Sequence, residues 1–168
     1  MFLKDFIPNL NQKFTNVNFS GIAFDSSKVK KNYIFFAIKG KIFNGNDYIE
    51  DAIQKGAKII ISEKKIIKKN TKTIFLFHPN VRKLLAEIAY KILNKKPKKL
   101  VGVTGTNGKS SIVDFYYQIL KLNSKKVASI GTIGLKYNNK KRILDNTTSD
   151  PLQISSILNE LKKKKSNS

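Results

Sequence analysis

The densest chemistry in the chain lies between Leu100 and Ser111, which read LVGVTGTNGKSS. Gly102, Gly105 and Gly108 remove side chains and free the backbone, so that successive N–H groups can curl around an anion. Lys109 follows as a point charge for phosphate oxygens, and the hydroxyl of Ser110 is placed to reach a phosphate-bound Mg²⁺. The chemistry this order of residues could serve is the binding of a nucleotide's phosphate tail and transfer of its terminal phosphoryl group, with Lys109 as the catalytic cation. A plain glycine-rich turn is the alternative. It is disfavoured by context, because an apolar run (Leu100, Val101, Val103) precedes Gly-Lys-Ser and an amphipathic run (Ile112 to Leu122) follows it, giving strand, loop and helix N-terminus in the order a phosphate site needs. The strict phosphate-loop spacing would place glycine at position 103, where this chain has Val103.

The elements that must position this loop point to an α/β chain. Residues 1–16 read as a short helix or irregular lead-in. Strands are expected over Asn18–Phe24, Tyr33–Ile38, Lys58–Ser62 and Thr73–Phe77. YIFFAI is unbroken and aromatic, as in a strand covered on both faces. A helix is expected from Asp47 to Gly56, and another after Asn80, where Val81, Leu84, Leu85, Ile88, Ala89 and Ile92 recur at three and four. KKPKK at 95–99 ends that helix, because Pro97 cannot continue it and the charges stay in water. A small N-terminal α/β domain over 1–95 and a second domain over 96–168 follow. In the second, Ile112, Phe115, Tyr116, Ile119 and Leu120 are the expected buried face of the helix after the loop. Lys126–Ile130 and Arg142–Leu144 read as strands around the GTIG turn at 131–134. Pro151 opens a last helix capped by Asp150, with Ile154, Ile157, Leu158 and Leu161 inward, and KKKKSNS is expected to fray.

Composition limits the partners. A formal net charge of +22 invites a nucleic-acid reading. The cations, however, are 31 lysines and only two arginines, Arg82 and Arg142, spread along the chain, whereas base reading and stacking favour arginine. No specific nucleic-acid partner is expected. No apolar run approaches the ~18 residues of a membrane span, and the apolar, basic start MFLKDFIPNL is interrupted by Asp5 and Pro8 without a small-residue cleavage site. The absence of cysteine removes disulfides and thiolate chemistry and fits a cytoplasmic protein; a monomer is expected.

The form GxxGTNGKSS resembles the loop of the Mur ligases and of the related folylpolyglutamate synthases, which join a carboxylate to an amine using ATP. The first domain narrows the resemblance to the Mur ligases. Asp25 and Ser26 match the family's acidic-Ser pair at a strand end, Phe35 to Ala37 its FxA strand, and Gly40 to Gly45 its glycine-rich substrate loop. GTNGKSS, GTIG and the run NTTSDPLQ at 146–153 are closer to the branch that adds the third peptide residue than to the one that adds the terminal dipeptide. The resemblance implies a substrate domain followed by the first part of an ATPase domain with a mostly parallel sheet. It assigns Gly105, Thr106, Asn107, Gly108, Lys109, Ser110 and Ser111 to ATP, with Ser110 also on Mg²⁺. It assigns Phe24, Ser26, Lys41, Ile42, Phe43, Asn146, Thr147 and Thr148 to a UDP-N-acetylmuramoyl-dipeptide, to which a diamino acid would be added through an acyl phosphate. The family's later ATPase strands and amino-acid-selecting domain are missing from these 168 residues, so an incomplete ligase that does not finish the reaction alone is expected.

Without the resemblance, Ser26 and Ser27 read as the close of a strand, and Asn146 to Thr148 as turn and strand residues. His78 before Pro79 reads as structural, Asp145 follows too short an apolar run to be a metal-binding strand end, and Asp114 reads as solvent-facing. A nucleotide-binding module without ligase activity remains open, as does a basic nucleic-acid-binding protein.

Overall fold

The computed structural model describes residues 1–8, 10–40, 43–67, 72–93, 97–144 and 149–166, with side chains in the last segment described to Lys162. The chain forms two compact units, Met1–Asn94 and Lys95–Ser168.

In the first unit, β1 (Gly21–Ala23), β2 (Tyr33–Ala37), β3 (Ala57–Ser62) and β4 (Ile74–Phe77) form one parallel sheet in sequence order. Ile34, Phe36 and Ala37 pair with Ile59, Ile61 and Ser62, and Ile60 pairs with Phe75. Buried parallel strands carry apolar residues on both faces, and Ile34, Phe35, Phe36, Ile59, Ile60 and Ile61 are all fully buried. Alternation along the strands puts Phe35, Ala37 and Ile60 on one side, where they cluster with Ala23, Val29, Ala57 and with Ile49 and Ala52 of α1 (Ile49–Gln54). Helix α2 (Val81–Ile92) contacts β2 and buries Val81, Leu84, Leu85, Ile88 and Ala89. Its first turn is capped twice: Asn80 Oδ1 accepts from the Lys83 N–H at 2.9 Å and Glu63 Oε1 from the Val81 N–H at 3.2 Å. The lead-in is two 3₁₀ turns, Leu3–Asp5 and Gln12–Phe14, fastened by buried Leu3 and by Phe6 set edge-on to Phe19 at 5.3 Å. Strand β1 is shorter than expected because Asn18 bridges to Phe2 instead of the sheet. The helix expected from Asp47 begins as a 3₁₀ turn over Gly45–Tyr48.

The second unit departs further from expectation. It contains α3 (Lys109–Leu122), the antiparallel strands β5 (Ala128–Gly131), β6 (Gly134–Tyr137) and β7 (Lys140–Arg142), and α4 (Pro151–Ser166). The α/β class holds, but the described strands of this unit are a meander and not a parallel sheet. Leu100–Val103, expected as a strand, is not one, and Leu100 and Val101 are 66% and 62% exposed. A parallel strand exists only beside a partner that satisfies its N–H and C=O groups, and no described strand of the unit pairs with it. The same lack of a covering layer corrects the expected buried face of α3. Ile112, Phe115, Tyr116 and Ile119 are exposed, Leu120 is half-buried, and Tyr117 is the buried residue of the described helix.

Asp114, expected to face solvent, is partly buried and pairs with Lys136 of β6, with Gln118 donating to its other oxygen at 2.7 Å. The Lys136 ammonium, then the Gln118 amide, hold its carboxyl below the usual carboxylate range. Asn138 and Asn139, both with positive φ, make the two-residue β6–β7 turn, the conformation Asn tolerates best after Gly. Asp150 caps α4 by accepting from the Leu152 and Gln153 N–H groups, both at 2.9 Å. Ile157 and Leu158 are buried as expected, and Arg142 meets Glu160 at 2.9 Å. Against the expected fraying, the backbone of α4 continues through the lysine run to Ser166, and Asn167 and Ser168 lie outside the described residues.

Candidate functional site

The phosphate-binding candidate is the junction between the segment after Val103 and the first turn of α3. Gly108 occupies the N-cap with φ 75°, ψ −8°, a left-handed conformation that costs a side-chain-bearing residue energy. A Cβ at Gly108 would meet nothing within 4 Å, so the backbone angle, not crowding, calls for glycine there. Glycine at the N-cap offers no side chain to cap the helix, and among the described residues no side-chain cap is present. The first-turn N–H groups of a helix have no acceptor within it, so those of Lys109, Ser110 and Ser111 face outward with the positive end of a 14-residue helix. Thr104 through Ser111 are all exposed. The Lys109 ammonium donates to the carbonyls of Gly105 and Thr106, the latter at 3.0 Å. It therefore clasps its own loop and keeps a third N–H. Gly105, Thr106, Asn107, Gly108, Lys109, Ser110 and Ser111 are thus gathered in one exposed turn, with Ser110 beside Lys109 at the helix start.

The substrate-binding candidates of the first unit lie at one edge of its sheet. Strands β1 and β2 are parallel and adjacent, so Phe24 and Ser26, just past β1, and Phe43, in the loop past β2, share the carboxyl edge where open α/β sheets bind ligands. Phe43 is 68% exposed and Phe24 half-buried. Ser26 is only 8% exposed, and its hydroxyl lies beside the Asp51 carboxylate, which takes Lys55 at 2.7 Å; the Lys55 ammonium, then the Ser26 hydroxyl, hold that carboxyl below the usual range. A serine hydroxyl can both donate to and accept from a ligand. Next to it, Asp25 accepts from the Ser27 hydroxyl at 2.7 Å and the Ser27 N–H at 2.9 Å. Chiefly through that hydroxyl, its carboxyl is held below the usual range. Lys41, Ile42, Asn146, Thr147 and Thr148, with Asp145, lie outside the described residues.

The loop carrying Phe43 is pinned at its base. Lys39 and Asn44 form an antiparallel bridge, the Gly40 N–H donates to Phe43 O at 2.9 Å, and the Gly45 N–H donates to Ile38 O at 2.9 Å. At Gly45 a Cβ would come within 2.6 Å of Ile38 N and 2.8 Å of Ile38 O, so only glycine lets the two backbones approach this closely. Sequence reasoning did not find what lies behind this loop. Ser62, 1% exposed at the end of β3, donates from Oγ to Asn46 Oδ1 at 2.7 Å. Nothing in the spacing of residues 16 apart signals that contact. His78 lies near its own neighbour, with Nδ1 2.9 Å from Asn80 O and 3.2 Å from Asn80 N. Among the described residues no cluster of three metal-ligating side chains occurs, and no helix is long and apolar enough to cross a membrane.

Comparison with known proteins accounts for both units. Residues 18–92 match the Mur ligase family catalytic domain, and residues 103–168 match the Mur ligase middle domain. The chain is 41% identical over 157 residues to a UDP-N-acetylmuramoyl-L-alanyl-D-glutamate--2,6-diaminopimelate ligase of Rickettsia prowazekii, covering 91% of this chain and 32% of that protein. A solved structure of a ligase with that same name has a TM-score of 0.78 at 24% identity, over 98% of this chain and 34% of the other. The MurF ligase of Thermotoga maritima, solved in complex with ADP, aligns over 80% of this chain and 28% of its own, with a TM-score of 0.52 at 28% identity. The chain spans about a third of the length of the curated relatives it matches. With one unit matching the family's catalytic domain and the other its middle domain, the chain belongs to the Mur ligase family.

Proposed function

We propose that this chain supplies the substrate-holding and phosphate-binding part of an ATP-dependent ligase of peptidoglycan precursor synthesis. That ligase adds a diamino acid to UDP-N-acetylmuramoyl-L-alanyl-D-glutamate. The observation that carries the reading is the exposed, uncapped start of α3 with Lys109 folded over its loop. It stands in a chain whose first unit presents Phe24, Ser26 and Phe43 at the carboxyl edge of a parallel sheet.

In this reading the γ-phosphoryl group of ATP passes to the D-glutamyl γ-carboxylate, and the incoming amine displaces phosphate to close the amide. The demand on the protein is neutralisation of negative charge around the transferring group. The amides of Lys109, Ser110 and Ser111 and the Lys109 ammonium supply it from this chain. Ser110 would hold a Mg²⁺ ion through its hydroxyl, and the ion, when bound, would supply further positive charge to the transferring group. Phe24, Ser26, Lys41, Ile42 and Phe43 hold the uridine and sugar end, and Asn146, Thr147 and Thr148 contact the same substrate. The protein acts in the cytoplasm.

Titration calorimetry of the 168-residue chain at about 150 mM salt, where charges farther apart than ~8 Å are screened, tests this. UDP-N-acetylmuramoyl-L-alanyl-D-glutamate and Mg–ATP are each expected to bind one saturable site. Binding of duplex DNA should fall steeply with added salt, as contacts to phosphate alone do. Loss of both nucleotide affinities in step with DNA affinity would leave a general polycation and reject the reading. Binding of ATP with no affinity for the UDP substrate would favour a nucleotide-binding module instead.

A further inference from the structure

The base of the loop that carries Phe43 is tied to the sheet by a chain of side-chain hydrogen bonds. The Lys64 N–H donates to Ser62 Oγ at 3.0 Å, and Ser62 Oγ donates to Asn46 Oδ1 at 2.7 Å. Asn46 Nδ2 donates to Asn44 Oδ1 at 2.8 Å, the Asn46 N–H reaches the same oxygen at 3.2 Å, and Asn44 Nδ2 donates to Asp47 Oδ1 at 3.3 Å. Each hydroxyl or amide is used as both donor and acceptor, so each fixes the orientation of the next. The chain starts at a side chain 1% exposed in the sheet and ends at Asn44, the residue directly after Phe43 and a partner in the Lys39–Asn44 bridge. Asn44 Oδ1 is also the cap of the Gly45–Tyr48 3₁₀ turn, so the relay joins the end of β3 to the start of the element that follows Phe43.

We infer that Ser62, Asn46 and Asn44 are positioning residues that set Phe43 for the UDP end of the substrate, acting through the backbone at Asn44 without touching the ligand. This rests on the reading proposed above. Fixing Phe43 beforehand removes ordering entropy that binding would otherwise have to overcome.

The test is Ser62→Ala in the full chain, with Ser62→Thr restoring a hydroxyl and Asn44→Ala breaking the relay at its outer end. Calorimetry with UDP-N-acetylmuramoyl-L-alanyl-D-glutamate is paired with Mg–ATP as internal control and with amide hydrogen exchange at Gly45 and Asp47. Ser62→Ala and Asn44→Ala are expected to weaken the UDP substrate about tenfold, the size of one lost buried hydrogen bond. Exchange at Gly45 should accelerate, Mg–ATP affinity should stay unchanged, and Ser62→Thr should recover substrate affinity. Should Ser62→Ala fail to fold, Asn44→Ala decides. Equal substrate affinity in wild type and variants, with only a lowered Tm, would overturn the positioning role and leave the proposed function standing. A wild-type chain that does not bind the UDP substrate would overturn both.

Discussion

Lys109→Ala is expected to weaken Mg–ATP binding between ten- and a hundredfold while leaving affinity for the UDP substrate unchanged. Two losses combine in this variant. The ammonium clasps the loop through the carbonyls of Gly105 and Thr106, and its third N–H is left for a phosphate oxygen at the first turn of α3. Charge-assisted hydrogen bonds are worth about 1.5–3 kcal/mol, which at 1.4 kcal/mol per decade gives that range. The rest of the cationic field cannot stand in. One lysine among a net charge of +22 changes the long-range potential little, so Lys121→Ala, an exposed cation in the last turn of the same helix, is expected to leave ATP affinity within twofold, less than about 0.5 kcal/mol. Lys109→Arg should not restore binding, because a planar guanidinium does not replace a compact ammonium seated among loop carbonyls. Calorimetry on the three variants measures this directly, and equal losses for Lys109→Ala and Lys121→Ala would show that bulk charge, not the loop, binds the nucleotide.

Phe35→Ala is expected to cost the first unit about 3–5 kcal/mol, the range for emptying a buried aromatic site. Phe35 is fully buried in the middle of β2, paired with Ile60 and packed among Ala23, Val29, Ala37, Ile49, Ala52 and Ala57. Several of these neighbours are alanines. They have no side-chain reach to collapse into the space, so the cavity persists and the cost falls toward the upper end. Domains of this size have only about 5–15 kcal/mol to lose, and the variant should unfold at a much lower urea midpoint and lose UDP-substrate binding with it. The contrasting position is Phe77, half-exposed at the end of β4, where alanine should cost only about 1 kcal/mol because half of the ring stays in water. Urea melts followed by circular dichroism separate the two, and a midpoint for Phe35→Ala close to wild type would contradict this description of the core.

The first unit was largely legible because its strands advertise themselves. YIFFA and KIIIS are apolar on consecutive residues, as only a doubly covered parallel strand tolerates, and the three-and-four spacing from Val81 to Ile92 meets a strong Asn80 cap. Local signals failed in the second unit. Leu100 to Val103 holds three aliphatic residues in four, but a strand is a property of a pair, and sequence alone does not say whether the partner is there. Ile112, Phe115 and Ile119 have the spacing of a buried stripe and yet are exposed, for the same reason. Strand β6, GLKY, was not anticipated as a strand because it is four residues long with a lysine inside, although the Asn138-Asn139 turn after it was a readable hairpin signal. At the site, glycines and Lys109 could be read from spacing because the backbone itself makes the geometry. Ser62 with Asn46, Ser26 with Asp51 and Asp114 with Lys136 could not. Each joins residues at least 16 apart, and short polar side chains carry no mark of which distant partner they will meet.

A chimera measures the central claim most directly. Residues 1–168 replace the matching third of the Rickettsia prowazekii ligase, and amide product is assayed with UDP-N-acetylmuramoyl-L-alanyl-D-glutamate, Mg–ATP and 2,6-diaminopimelate. If this chain brings a working substrate edge and phosphate loop, the chimera makes product within about tenfold of the unmodified relative, a difference of about 1.4 kcal/mol in barrier, and Lys109→Ala abolishes it. A folded chimera that binds ATP and the UDP substrate yet forms no amide would contradict the account.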